Sequence, residues 1–182
     1  RRQRQMCIRD RYYMRVDTKP QQEFPDPTPL TDYKLGDKAM GYLQKMTDLC
    51  KEKGVKLVLI KAPTEYPYWY EQWDEQVQQF ADENDVDYIN FIPLQNDIGL
   101  DMSQDTYDAG LHLNTTGAEK MADYFGKYLV ENYNLTDYRN DSEYASIWDK
   151  KEAAYDSMKQ QQYDELNKYG ELKSFGANAI QN

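Results

Sequence analysis

The sequence predicts an α/β fold with a parallel sheet, followed by a helical extension. Three observations carry this expectation. Helix-period and strand-like apolar runs alternate from about residue 35 to 132, the strand-like runs are short and rich in Val, Ile and Leu, and beyond Asn132 one long helical period takes over. The chain of 182 residues is long enough for one ordinary core and an appendage.

The elements follow in order. From Thr18 to Asp32 the chain reads TKPQQEFPDPTPLTD, with four prolines and no apolar period, which predicts a linker or an extended covering strand. Ala39, Leu43, Met46 and Cys50 recur at helical spacing, and Gly54 stands where a helix stop belongs. The run VKLVLI, Val55 to Ile60, reads as a strand buried on both faces that must end before Pro63. Trp69, Trp73, Val77 and Phe80 form a second helical stripe, better suited to a core than to a sugar platform, and VDYINFI, Val86 to Ile92, forms a second strand. Helix, strand, helix, strand in that order implies a parallel sheet. Ala118, Ala122, Phe125 and Leu129 share one face of a helix reaching about Asn132, with Thr116 and Glu119 as its capping box. A last helix runs from about Glu143 to Tyr169 and stops at Gly170; its narrow face of Tyr144, Ile147, Trp148, Tyr155, Met158 and Tyr163 suits packing over the main domain or pairing with a partner.

Charge and composition exclude whole classes of function. A formal charge of -10, with no basic stripe outside the first fifteen residues, argues against nucleic acid as a partner. No apolar run approaches the roughly 20 residues that span a bilayer. The cysteines, Cys7 and Cys50, have no metal-type spacing. Tyrosine is abundant, 17 against 5 Phe, which suits half-wet surfaces where a ring packs and a hydroxyl bonds; Tyr66, Tyr68 and Tyr70 lie nearest a loop and are the better ligand candidates. The opening RRQRQMCIRDR, unlike the acidic remainder, resembles translated adapter sequence at a broken assembly end. Native protein is therefore expected to begin near Tyr12, and the chain to lack an upstream half.

The chain's one histidine, His112, stands in the loop QDTYDAGLHLN ahead of a helix, after the second strand. In open parallel sheets the loops beyond the strands' carboxyl ends bind ligands. Three readings compete for Asp97, Asp101, Asp105 and Asp108 beside it: a calcium loop, whose Asp-x-Asp-x-Asp-Gly spacing they do not match; a solvated loop of turn-forming residues; and chemistry, in which an Asp orients the imidazole so that its other nitrogen takes a proton from a hydroxyl nucleophile.

The phrase D-x-x-x-H-L-N-x-x-G-A-x-K, Asp108 to Lys120, resembles the last conserved block of the SGNH, or GDSL, hydrolases, and more narrowly SGNH-like proteins of gut bacteria. The likeness follows the order of elements from Lys34 to Trp148 and is specific between Asp105 and Arg139. It implies part of a three-layer α/β/α sandwich with a flavodoxin-like parallel sheet. It implies a serine esterase or O-acyltransferase, working on an acylated carbohydrate or similar surface polymer without metal or organic cofactor, in an extracytoplasmic or cell-surface setting. His112 would be the base and Asp108 the acid that supports it. Usually the Asp stands three residues before the His; here Asp108 stands four before, which leaves Asp105 as the alternative acid. The family's Gly-Asp-Ser turn does not occur, and Ser103, Ser142, Ser146, Ser157 and Ser174 lack its strand-to-helix setting, so this chain alone is expected to be inactive. Its oxyanion block is not recognisable either; the corresponding turn is KAPTEYPYW after Ile60, where Lys61, Thr64 or backbone N–H groups could serve. Asn114, two residues past His112, belongs to the expected substrate or oxyanion vicinity, where hydrogen-bonding the loop is favoured over substrate contact. The rival implication is a non-catalytic carbohydrate-binding or scaffold relative. The expected division is 1–11 non-native, 12–34 linker, 35–135 the α/β portion and 136–182 a helical extension.

Overall fold

A computed structural model describes residues 14–173; the segment 1–11, Cys7, Tyr12 and Ser174 lie outside the described residues. The chain divides into two compact units, one of Gln21–Gly99 and one in which Leu100 onward joins the segment up to Pro20. Helices account for 50% of the described residues and strands for 6%, so the chain is α/β with most of its order in helices.

The first unit contains α1 (Asp37–Glu52), β1 (Val58–Lys61), α2 (Glu71–Asn84), β2 (Asp87–Asn90) and the single turn α3 (Gln95–Ile98). The strands pair in parallel, Val58 opposite Asp87 through Lys61 opposite Asn90. Both are shorter than the apolar runs that predicted them, because helix ends consume the first residues. Gly54 adopts φ +64°, its N–H reaches Lys51 O, and the Val55 N–H returns to Cys50 O at 2.8 Å. That Schellman-type closure satisfies orphan carbonyls of α1 and removes Val55 from the ladder. Val86 does the same for α2, donating to Ala81 O at 3.0 Å across the left-handed Asp85.

Two expectations about burial are corrected here. β1 is not buried on both faces, since Ile60 is 49% exposed. The inward face of α1 is also rotated from the expected stripe: Met46 is exposed and Thr47 is fully buried. Thr47 tolerates this because its hydroxyl donates to Leu43 O at 3.0 Å, so no unsatisfied polar group enters the interior. Of the expected α2 stripe, Trp69 precedes the helix, Trp73 and Val77 are half-buried, and Phe80 is buried. Asp74 gathers its neighbours: one carboxylate oxygen accepts from Tyr88 Oη at 2.5 Å, Asn90 Nδ2 at 2.9 Å and Trp69 Nε1 at 3.0 Å, which ties α2 to β2. Burial first, and then the bond to this carboxylate, hold the Tyr88 phenol well above its ordinary pKa.

The second unit contains α4 (Thr115–Asn132) and α5 (Ser142–Tyr169). The expected Thr116–Glu119 capping box is replaced. Asn114 is the N-cap, its side-chain oxygen accepting from Gly117 N at 3.1 Å. Glu119 instead accepts from Tyr155 Oη and Lys159 Nζ on α5. Asn114, two residues before Thr116, supplies the side-chain acceptor for a first-turn backbone N–H and leaves the Glu119 carboxylate for a helix-to-helix bond. α5 ends as expected at Gly170, φ +71°, whose N–H returns to Leu166 O. The extended segment before Pro20 is stapled on by backbone bonds: Thr115 N to Arg15 O at 2.7 Å and Lys19 N to Thr106 O at 2.9 Å. Gln162 of α5, fully buried, serves it twice, accepting from Val16 N and donating to Met14 O. Nearer its start α5 is open: Tyr144, Ile147 and Trp148 are exposed. Among the described residues no helix is long and apolar enough to cross a membrane.

Candidate active site

The loop from Leu100 to Asn114 is closed by an antiparallel bridge between Thr106 and Leu113. Between them the backbone turns through two left-handed residues, Ala109 at φ +69° and Gly110 at φ +97°. The glycine takes that conformation freely, whereas the alanine costs about 1 kcal/mol. Neighbours hold them there: Ala109 N donates to Lys19 O, and Gly110 N to the buried Thr106 hydroxyl.

This turn brings Asp108 back onto His112. One oxygen of Asp108 accepts the His112 backbone N–H at 2.6 Å, and the other lies 2.5 Å from Nδ1. The carboxylate thus grips residue 112 by backbone and ring together. The extra residue between acid and base is taken up by the left-handed pair. The imidazole is 69% exposed and its ring has no other hydrogen bond among the described residues, which leaves Nε2 open to them. Its plane rests on Tyr107, with centroids 5.9 Å apart and an interplanar angle of 16°. Tyr107 is in turn flanked by the Arg15 guanidinium, 5.1 Å from its centroid, which ion-pairs with Asp17. Nothing in the sequence distinguishes Tyr107 among 17 tyrosines; only the loop's closure puts it under the ring.

The other candidates fall elsewhere. Asp105, the alternative acid, is 1% exposed and faces inward, one oxygen taking Lys120 Nζ at 2.6 Å and Asp101 N at 2.8 Å, the other buried with no partner among the described residues. Asp101 serves Ser103, accepting from its hydroxyl and its N–H, and these two bonds lower the Asp101 pKa. Asp97 lies on α3 in the first unit. Among the described residues no three His, Cys, Asp or Glu side chains converge as a metal site. Asn114 has the loop-bonding role expected of it: besides capping α4, its amide donates to Gln104 O at 2.7 Å and to Asp17 O and Thr18 Oγ1 at 3.3 Å.

Lys61 and Thr64 belong to the first unit, whereas His112 belongs to the second. Lys61 ends β1 with its ammonium 5.2 Å from the Trp69 ring centroid, and burial lowers its pKa. Thr64 accepts from Tyr66 N through its hydroxyl. Ser103 is committed to Asp101, and Ser142, Ser146 and Ser157 lie on α5; none of these four hydrogen-bonds to Nε2.

The arrangement makes a direct prediction. With a carboxylate on Nδ1, the neutral imidazole carries its proton there and leaves the Nε2 lone pair outward. Because His112 is the only histidine, 15N ring shifts read the tautomer without assignment. At a pH where the ring is neutral, Nε2 should appear unprotonated in the parent chain, and Asp108→Ala should move both nitrogens toward tautomer averaging. Unchanged shifts in that variant would show that Asp108 does not set the tautomer.

Comparison with protein-family models, with curated proteins and with solved structures found no match to this chain.

Proposed function

We propose that this chain is the C-terminal part of an SGNH-type serine esterase or O-acyltransferase acting on an acylated carbohydrate or similar surface polymer, outside the cytoplasm or at the cell surface. The observation that supports it is the Asp108–His112 grip, with Nδ1 held and Nε2 exposed. In this reading the two-stranded sheet is part of a three-layer sandwich, and the nucleophilic serine comes from polypeptide outside these residues. His112 Nε2 takes the serine proton as the hydroxyl oxygen attacks the ester carbonyl. The same proton then passes to the departing sugar oxygen. Water or an acceptor hydroxyl resolves the acyl-enzyme with His112 again as base. Asp108 stabilises the imidazolium that forms between these transfers.

The reading is tested by a fluorophosphonate probe on the full-length gene product. Labelling of one serine that falls by about a thousandfold in His112→Ala is expected, a loss of the size triad members cause. A full-length protein that never labels sinks the enzyme reading. That result would favour the second reading, a carbohydrate-binding or scaffold relative, which one observation supports: none of the four described serines meets Nε2.

A further inference from the structure

We infer that the paired rings of Tyr66 and Tyr68, in the first unit, form a stacking platform for a pyranose residue of a neutral glycan. The choice of carbohydrate leans on the proposed ester substrate, whereas the platform itself needs nothing from His112.

The segment Pro63–Tyr70 carries no helix or strand and is stiffened by Pro63 and Pro67. Tyr66 and Tyr68 stand 4.9 Å apart between centroids with their planes tilted by 47°, which makes a corner between the two rings. Phe24 meets Tyr66 edge-on at 6.2 Å and 85°, which restrains that ring. On the far side Tyr68 borders Tyr70, whose own ring is held by Tyr33 at 5.1 Å and Trp73 at 4.8 Å and whose hydroxyl donates to Thr28 O at 2.8 Å. The platform is therefore arranged before any ligand arrives, which reduces the ordering cost of binding.

Two features select the ligand class. Tyr66 is 49% exposed, and among the described residues the hydroxyls of Tyr66 and Tyr68 make no hydrogen bond, unlike those of Tyr33 and Tyr70. A phenol both donates and accepts, as sugar hydroxyls do, and a ring face accepts the C–H face of a pyranose. Glu65, next to Tyr66, accepts from the Gln21 amide at 3.1 Å, and the chain's net charge of -10 opposes a polyanion.

The test is calorimetric and NMR titration of the full 182-residue chain with xylohexaose, cellohexaose and chitohexaose. Saturable binding of at least one is expected, weakened about tenfold by Tyr66→Ala and by Tyr68→Ala and little by His112→Ala, since one ring stacking is worth about a decade in affinity. Tyr68→Phe, which keeps the ring, should weaken binding about threefold and serves if an alanine variant unfolds. Absence of binding to all three, or binding that folded Tyr66→Ala and Tyr68→Ala variants leave unchanged, overturns the platform. Binding without fluorophosphonate labelling of the full-length protein would keep the platform and discard the esterase; labelling without binding would do the reverse.

Discussion

Gly117→Ala is expected to destabilise the chain by about 3 kcal/mol or more, the scale of overpacking against groups that cannot yield. In an exposed helix the same change normally helps, by up to about 1 kcal/mol of helix propensity. At Gly117 an added Cβ would stand 2.5 Å from the Asp105 carbonyl oxygen, 2.9 Å from its Cβ and 3.1 Å from Leu113 Cδ2. The first two are parts of a fully buried residue, not the tip of a flexible chain, so the clash is relieved only by moving the loop or the helix start. That same carbonyl accepts from Asn114 N, and Gly117 N is the donor of the Asn114 cap, so displacement breaks both bonds. Gly126→Ala on the same helix is the control, because nothing lies within 4 Å of its Cβ, and it should stabilise. Urea denaturation of the two variants decides: a lowered midpoint for Gly117→Ala alone is expected, and equal midpoints would show that the approach of loop to helix is not as close as described.

Lys120→Met is expected to cost about 2 kcal/mol at neutral pH. Removing one partner of a buried pair usually costs more, about 3–5 kcal/mol, but Lys120 is 38% exposed and part of the interaction is already screened. Methionine keeps the stem packed and removes only the charge. Asp105 would then hold a buried carboxylate with Asp101 N as its remaining donor and its second oxygen still unpartnered. Adding Asp105→Asn should recover part of the loss, since the uncompensated charge goes with it. A Lys120→Met chain that unfolds at the parent's urea midpoint would mean that Asp105 does not depend on this cation. The result also bears on the site: with Asp105 needed for the fold, the acid role in the proposed chemistry falls to Asp108.

Much of the secondary structure was legible because it rests on local physics. Gly54 and Gly170 stop their helices by adopting the left-handed backbone that other residues resist, and both stops were readable from the pattern. The parallel pairing of β1 and β2 followed from a helix between two apolar runs. Strand limits were misread because Val55 and Val86 are apolar like strand residues, yet their N–H groups are spent on helix ends. The capping box was misread for a related reason: Asn114 and Thr116 are both good caps in sequence, and the choice was made by Arg15, whose carbonyl takes Thr115, and by α5, which takes Glu119.

At the candidate site, the residue types were written in the sequence and their partnerships were not. A lone histidine among aspartates ahead of a helix was visible, but four aspartates precede it and spacing alone left Asp105 and Asp108 open. The left-handed turn at Ala109 and Gly110 decided between them, swinging Asp108 outward onto the ring while Asp105 turned inward to Lys120. Tyr107 stacked on the imidazole and the tilted Tyr66–Tyr68 pair were likewise settled in three dimensions. Helix stops and strand order depend on neighbours along the chain and so were determined by sequence. Which carboxylate meets the histidine depends on backbone turns held by bonds to Lys19 and Arg15, about a hundred residues away, and only the tertiary structure supplies those.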